Sequence, residues 1–198
     1  MAILHSGNLG LEIRFIEYDS NDWVQYEILF LYKGEPMVQD HQLKRVNEHW
    51  QKRSPGAFKA NQYGRDGFIP TIREALDSDQ PQSFTPMDPD ITMAIYPLRG
   101  FPFIASGWEL IYQLDEDDEY QADQALIREL AGGRLPSDPF TIIFMVDVYN
   151  YGETMVYHGE GPALILCVHR HQLREFCEAL EEEYAAFCRQ WGIENPWE

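Results

Sequence analysis

The last third of the chain contains a long amphipathic segment, and this segment most constrains the fold. From His171 to Trp191, apolar residues recur at spacings of three and four, the period of an α-helix with one apolar face. Glutamates fill most of the other positions, and Gly192 is a typical helix terminator. Such a helix must bury its apolar face against another element. The apolar stripe consists of Leu173, Phe176, Cys177, Leu180, Tyr184, Phe187, Cys188 and Trp191.

Three segments before this helix are predicted to form the sheet that it covers. Phe140 to Tyr149 is a strongly apolar strand, Thr154 to His158 returns after a turn, and Ala163 to His169 follows a second turn. The first turn, Asn150-Tyr151-Gly152, has hairpin chemistry. We therefore expect a three-strand antiparallel meander with the closing helix on one face.

The N-terminal part of the chain predicts a second pair of strands. Leu11 to Tyr18 alternates apolar and polar residues, which is the period of a half-buried strand. Asp19 to Asp22 has turn chemistry. Trp23 to Lys33 is rich in aromatic and β-branched residues, which favour strands. Because a short turn joins the two strands, we expect an antiparallel hairpin.

The region after this hairpin has no clear period. Residues 40–66 contain six of the chain's 15 Lys and Arg residues, and their Gly and Pro positions predict loops around a short helix. A helix is predicted from Pro70 to Leu76, with the proline in its first turn.

The proline-rich middle is predicted to form short extended pieces followed by two regular elements. Trp108 to Leu114 has the composition of a strand. Tyr120 to Leu130 is predicted to be a helix that ends at Gly132-Gly133. The prolines that divide the preceding segment are at positions 81, 86, 89, 97 and 102.

These elements together predict a single α+β domain over residues 1–198. Its sheet is largely antiparallel and combines the N-terminal hairpin with the C-terminal three-strand meander. The long C-terminal helix and one or two shorter helices cover it. A chain of 198 residues is long enough to bury one substantial core.

The charge of the chain restricts its partners. The sequence has 33 Asp and Glu residues against 15 Lys and Arg, a formal net charge of −18. Because 44% of the residues are apolar, this charge belongs to the surface of a folded body and not to a disordered tail. Such a field repels nucleic acid and anionic membranes and speeds encounter with basic proteins. With no transmembrane segment and no secretory signal pattern, we expect a cytoplasmic protein with a basic protein partner.

The three cysteines are interpreted as reduced core residues. Cys167, Cys177 and Cys188 are odd in number and clustered, unlike a disulfide framework. Cys167, His169, His171 and Cys177 are of types that bind zinc, but the close pairs typical of zinc sites are missing. Free cysteine commonly packs as a small apolar residue. We therefore expect neither a metal nor a cofactor.

Asp147 interrupts the apolar strand and is a candidate acid or base. By alternation it shares a face with Ile143, Met145 and Tyr149, and His158 returns on the neighbouring strand. We instead expect this face to be partly solvated near the hairpin end, as in many antiparallel sheets. The sequence has no nucleophile elbow, phosphate-binding glycine loop or zinc-protease motif, so it indicates no enzyme chemistry.

The densest acidic run is the candidate partner-binding site. It fails as a calcium loop because its sixth position is not Gly and Leu126 stands where the bidentate Glu is required. Two interpretations stay open: a solvated helix N-terminus, stabilised by the helix dipole, or a contact patch for a basic partner. The run consists of Asp115, Glu116, Asp117, Asp118 and Glu119.

Two short segments carry a family resemblance. Asn21-Asp22-Trp23-Val24 leads into a long strand, and Leu173-Arg174-Glu175-Phe176, followed by Leu180, lies in the closing acidic helix. In these segments the chain resembles the WapI-type group of small bacterial immunity proteins. The resemblance covers only part of the chain and assigns no functional residue. It implies an acidic cytosolic α+β protein that neutralises a cognate toxin.

Three functional hypotheses follow. The first is an acidic protein-binding protein, such as an immunity protein, that occludes a basic partner. The second is an enzyme or small-ligand binder whose pocket lies at the polar face of the sheet, around Asp147, Tyr149, Tyr157 and His158. The third is a subunit or scaffold of a homo-oligomer, with interface aromatics such as Trp108 and Trp197.

Overall fold

The structure is a computed structural model, and it describes residues 2–19, 21–43, 54–86, 91–97, 139–148 and 161–196. Within these ranges the protein has an α+β fold with two antiparallel sheets, a long C-terminal helix and a shorter helix. The predicted fold class is confirmed. Both sheets and both helices contribute side chains to one hydrophobic cluster. The interpretation of the whole chain as one domain stays a prediction.

The N-terminal sheet is built on the predicted hairpin. Its strands are β1 (Ala2–Ser6), β2 (Leu9–Tyr18), β3 (Trp23–Tyr32), β4 (Glu35–Pro36) and β5 (Phe58–Tyr63). β2 pairs with β1 on one side and with β3 on the other. The second edge of β3 pairs with β5 along most of its length and with β4 at its end. The predicted pairing of the two N-terminal strands is therefore confirmed.

The C-terminal sheet contains β6 (Gln82–Phe84), β7 (Ile91–Pro97), β8 (Pro139–Val146) and β9 (Ala163–His169), in that order. β8 and β9 match the first and last strands of the predicted meander. They pair directly, with Phe144 opposite Leu164. The predicted order, which placed Thr154–His158 between these two strands, is therefore wrong, and the segment Thr154–His158 itself lies outside the described residues. The prediction assumed that sequential strands pair, which is a tendency and not a rule.

Two of the predicted helices, the one at Pro70–Leu76 and the long C-terminal one, are present in the described part of the chain. The shorter helix is α1 (Phe68–Ser78), which buries Phe68, Ile69, Ile72 and Ala75. The long helix is α2 (Arg170–Trp191), and Gly192 ends it at a φ of 66° with its N–H donated to the carbonyl of Cys188. Every predicted stripe residue of α2 is buried except Trp191, which is 38% exposed. Neither helix that the structure describes is sufficiently long and apolar to cross a membrane.

The position of α2 differs from the prediction. We expected this helix to cover the meander, but it packs mainly against β1, β2 and α1 and less extensively against β8 and β9. The ring of Phe15 on β2 lies 5.0 Å from the ring of Tyr184 and 5.7 Å from that of Phe187, between centroids. The periodicity of a helix identifies its apolar face but not the surface that this face meets.

The region 40–66 contains a strand that was not predicted. A short 3-10 helix occupies Asp40–Gln42, while residues 44–53 lie outside the description. The missed strand is β5, in which Phe58 and Ala60 are buried against the core. Its Lys and Asn residues have low strand propensity, and pairing with β3 decides its conformation. Predicted elements at Trp108–Leu114, Tyr120–Leu130 and Asn150–Gly152 lie outside the described residues.

Candidate functional site

A shallow surface groove lies at one end of the N-terminal sheet, where β2 turns into β3. It is lined by Asn21, Asp22, Trp23 and Tyr63 and has a volume of about 540 Å³. Trp23 and Tyr63 are direct cross-strand partners, and their rings meet edge to face with centroids 5.7 Å apart. Tyr63 is 49% exposed. We call these four residues the aromatic–acidic groove.

Strand alternation places the two aromatic rings on the outer face of the sheet. Val24 and Tyr26 of β3 are fully buried in the core, so Trp23 belongs to the opposite face. Tyr63 lies on the same face as Trp23 because directly opposed residues of antiparallel strands share a face. The N–H of Gly64 donates a 2.7 Å hydrogen bond to the carbonyl of Asp22. This bond joins the β2–β3 turn to the end of β5 and holds the two walls of the groove together.

Two carboxylates of the turn are held in place beside the rings. Oδ1 of Asp19 accepts hydrogen bonds from the N–H groups of Asn21 at 2.8 Å and Trp23 at 3.1 Å. Oδ1 of Asp22 accepts a hydrogen bond from the hydroxyl of Tyr18. This hydrogen bond is the main cause of a raised pKa for Tyr18. The phenol therefore stays neutral, and the groove presents aromatic faces next to oriented negative charge.

A buried charge cluster lies further along the same outer face. Glu12 and Glu27 are 3% and 2% exposed. Nε of Arg14 donates to Glu12 Oε1 at 2.5 Å, and Nη1 donates to Ser54 Oγ at 2.7 Å. The N–H and hydroxyl of Ser54 donate to the two carboxylate oxygens of Glu27, each at 2.7 Å. These bonds anchor the loop at Ser54 to the sheet, and we interpret the cluster as structural.

The structure corrects the expectation for Asp147. This residue directly follows β8 and is 1% exposed, although Ile143 and Met145 on the predicted face are partly exposed. The returning chain explains its burial: the N–H of Val146 donates to the carbonyl of Pro162 at 3.0 Å. Gly161 lies so close that a Cβ there would be 1.8 Å from the Val146 carbonyl oxygen. The tight approach of two backbones at the strand end was not visible in the apolar pattern.

The remaining predicted site residues lie outside the described part of the chain. They are the acidic run Asp115–Glu119, the pocket residues Tyr149, Tyr157 and His158, and the interface aromatics Trp108 and Trp197. The contact-patch and pocket hypotheses at these positions therefore stay predictions.

The cysteines and histidines near the start of α2 are now placed. Cys177 is buried, as predicted for a core residue. Cys167 is only half-buried, on the face of β9 opposite the buried residues of that strand. Burial raises the pKa of Cys167 to about 11 and that of Cys177 to about 12. The rings of His169 and His171 stack with centroids 5.2 Å apart. Among the described residues, no group of three or more His, Cys, Asp or Glu side chains has a metal-binding arrangement.

Sequence reasoning found only one side of the groove. It singled out Asn21, Asp22 and Trp23, but it treated Tyr63 as part of a loop. The alternation of apolar and polar residues in Phe58-Lys59-Ala60-Asn61 was the available signal for a strand, although Gln62 interrupts it. Only the register with β3 shows that Tyr63 meets Trp23.

Comparison of the chain with protein-family models, curated proteins and solved structures gives no match.

Proposed function

We propose that this protein is an acidic protein-binding protein that occludes a basic partner, in the way that an immunity protein neutralises a toxin. The observation that carries the proposal is the Trp23–Tyr63 pair, in which Tyr63 is 49% exposed, beside the carboxylates of Asp19 and Asp22. Trp and Tyr are enriched among the residues that contribute most to binding at protein interfaces. Neighbouring acidic groups would select a basic surface against an acidic one.

The charge of the described surface supports the same class of partner. Helices α1 and α2 lie side by side and are joined by an ion pair between Arg73 and Glu181, whose Nε and Oε1 atoms are 2.6 Å apart. Around this pair the helices carry further exposed carboxylates, which add to a net charge of −18. Such a field accelerates association with a basic protein. The exposed carboxylates are Glu74, Asp77, Glu175, Glu178 and Glu182.

A capture experiment with matched variants tests the proposal. The bait is the wild-type protein, the double variant Trp23→Ala/Tyr63→Ala, or the control Tyr32→Ala, which removes another tyrosine that is 49% exposed. We expect one basic protein to be captured from the native cell by the wild type and by the control, but not by the double variant. Capture of the same basic protein by the double variant would show that the binding surface is not the groove, and capture of no basic protein by the wild type would contradict the proposed function.

Association kinetics with the captured protein then test the role of charge. Association should slow as salt rises, because the screening length falls from ~10 Å at 0.1 M to ~3 Å at 1 M. Neutralising the five residues of the run Asp115–Glu119 should lower the association rate more than it raises the dissociation rate, since peripheral charges mainly steer approach. An association rate that responds to neither change would leave solubility as the role of the negative charge.

One observation supports a second candidate function, the binding of a small ligand. Asp147 is a carboxylate with 1% exposure at the end of β8, and buried carboxylates are frequent in active and ligand sites. On this proposal a small ligand binds near Asp147 and His158. Thermal-shift screening of the wild type and Asp147→Asn with a metabolite panel tests it. A ligand that raises the melting temperature of the wild type alone would support this function.

A further inference from the structure

We infer that the aromatic–acidic groove receives one lysine or arginine side chain from the basic partner, with the cation against an aromatic face and paired with the Asp22 carboxylate. The inference rests on the proposed function, because it names what that partner inserts. It would assign a specific binding role to Trp23, Tyr63 and Asp22.

The arrangement of the rings supports a cation as the occupant. In an edge-to-face pair the contact covers at most one ring face, and Tyr63 is 49% exposed, so an aromatic face stays open to solvent. The faces of Trp and Tyr rings attract Lys and Arg cations within about 6 Å of the ring centroid. The long aliphatic stem of either side chain packs on such a ring while its charge stays at the groove rim.

The carboxylate supports the same occupant. Asp22 is exposed, and its Oδ1 accepts the Tyr18 hydroxyl, which orients the group. A carboxylate has about four acceptor positions, so this hydrogen bond leaves capacity for an ammonium or guanidinium group. Asp19 adds a second negative charge on the same turn, fixed by the N–H groups of Asn21 and Trp23. The groove therefore combines an open aromatic face with negative charge, the two features that bind organic cations. The same negative charge repels anions.

Small-molecule probes test this inference without the natural partner. The cationic probes are N-acetyl-lysine methylamide and N-acetyl-arginine methylamide, and N-acetyl-norleucine methylamide is the neutral control. Binding is followed in ¹⁵N-labelled protein through the indole N–H signals, with the Trp23 signal assigned by its loss in Trp23→Phe. We expect millimolar cationic probe to shift the Trp23 signal and the norleucine probe to leave it unchanged.

Two substitutions and one control define the site. Tyr63→Leu and Asp22→Asn should each weaken binding of the cationic probes several-fold. Asp22→Asn should also reduce the salt dependence of this binding, which Tyr63→Leu should leave unchanged. Tyr32→Leu is the matched control, because Tyr32 is equally exposed at 49% and lies at the opposite end of β3. It should bind the probes like the wild type. Thermal unfolding of each variant verifies that it is folded.

The outcomes separate this inference from the proposed function. Equal shifts with the norleucine probe would overturn it, because the groove would then bind apolar stems and not cations. A basic partner that binds normally to Tyr63→Leu and Asp22→Asn would also overturn it, while the proposed function would stand on another surface. Cation binding at Trp23 in a protein that captures no basic partner would remove the proposed function and, with it, the partner's side chain as the occupant, and would leave the groove as a site for free organic cations.

Discussion

The hydroxyl of Ser6 donates a 2.7 Å hydrogen bond to the backbone carbonyl of Cys167, and this bond joins two strands that are 161 residues apart in the chain. Ser6 ends β1 of the N-terminal sheet, and Cys167 lies on β9 of the C-terminal sheet. Beside it, the amide of Gln172 donates to the carbonyl of His5 at 3.3 Å. Because α2 starts directly after β9, this junction makes the helix begin next to β1 and run along the N-terminal sheet.

The buried face of α2 predicts a clear contrast between variants. Phe176 and Leu180 are 2% and 0% exposed, so Phe176→Ala and Leu180→Ala should each lower the free energy of unfolding by about 2–5 kcal/mol. Glu182 is exposed, and Glu182→Ala should change the free energy of unfolding by less than about 0.5 kcal/mol. Denaturant titration of the three variants measures the difference. Equal effects would contradict the assigned helix face.

A buried carboxylate at the start of α1 predicts a pH-dependent stability. Asp66 is 3% exposed and accepts hydrogen bonds from the N–H groups of Phe68 at 3.2 Å and Ile69 at 2.8 Å, and from the Tyr26 hydroxyl at 3.1 Å. Burial raises the pKa of Asp66 from 3.8 to about 6, although these donors act in the opposite direction. The folded protein therefore binds the proton more tightly than the unfolded chain does.

The sign of this effect follows from proton linkage. The contribution of Asp66 to stability is fully present below pH 4 and is lost as the pH rises through 6. A shift of about two pKa units corresponds to about 3 kcal/mol. The variant Asp66→Asn should lack this loss. The free energy of unfolding of the wild type, minus that of the variant, should therefore fall between pH 4 and pH 6 and stay constant above pH 6. Asp77→Asn, an exposed carboxyl on the same helix, is the control and should keep the wild-type profile.

The charge cluster on the outer face predicts that Arg14 is important for stability. Removing its guanidinium would leave the carboxylates of Glu12 and Glu27 buried without their cation, which typically costs about 3–5 kcal/mol. Because 30% of the Arg14 side chain is exposed, we expect Arg14→Gln to cost about 3 kcal/mol, the lower end of that range. Arg174→Gln, an exposed arginine on α2, should have little effect. Urea unfolding of both variants measures this, and equal midpoints would show that the cluster does not stabilise the fold.

The burial of the thiols predicts slow labelling of the native protein. With pKa values of about 11 for Cys167 and about 12 for Cys177, these groups are almost entirely protonated at pH 8, and the thiolate is the reactive form. A thiol reagent should therefore react slowly with these thiols in the native protein. After unfolding without reductant, it should react with all three cysteines. Fewer than three reactive thiols in freshly unfolded protein would reveal a disulfide or a bound metal and overturn the expectation of free thiols.

Elements with a strong local signal could be predicted from the sequence. β2 and α2 agree with positions predicted from the spacing of their apolar residues, and β3, β8, β9 and α1 agree with positions predicted from local composition and turn residues, because all these signals depend only on near neighbours. β5 was missed because its polar residues obscure the period. The predicted strand Thr154–His158 was placed between two strands that in fact pair with each other.

The sequence by itself determined the positions of β2, β3, β8, β9, α1 and α2, the apolar face of α2, and the negative sign of the surface charge. Each of these depends on residues a few positions apart or on simple composition. Only the tertiary structure decided that α2 lies along the N-terminal sheet and that Asp147 is buried. It also decided that Tyr63 meets Trp23, forty residues earlier in the chain, in a groove beside Asp22. Strand register and helix docking depend on contacts between distant segments, and no local pattern records which distant segments will pack together.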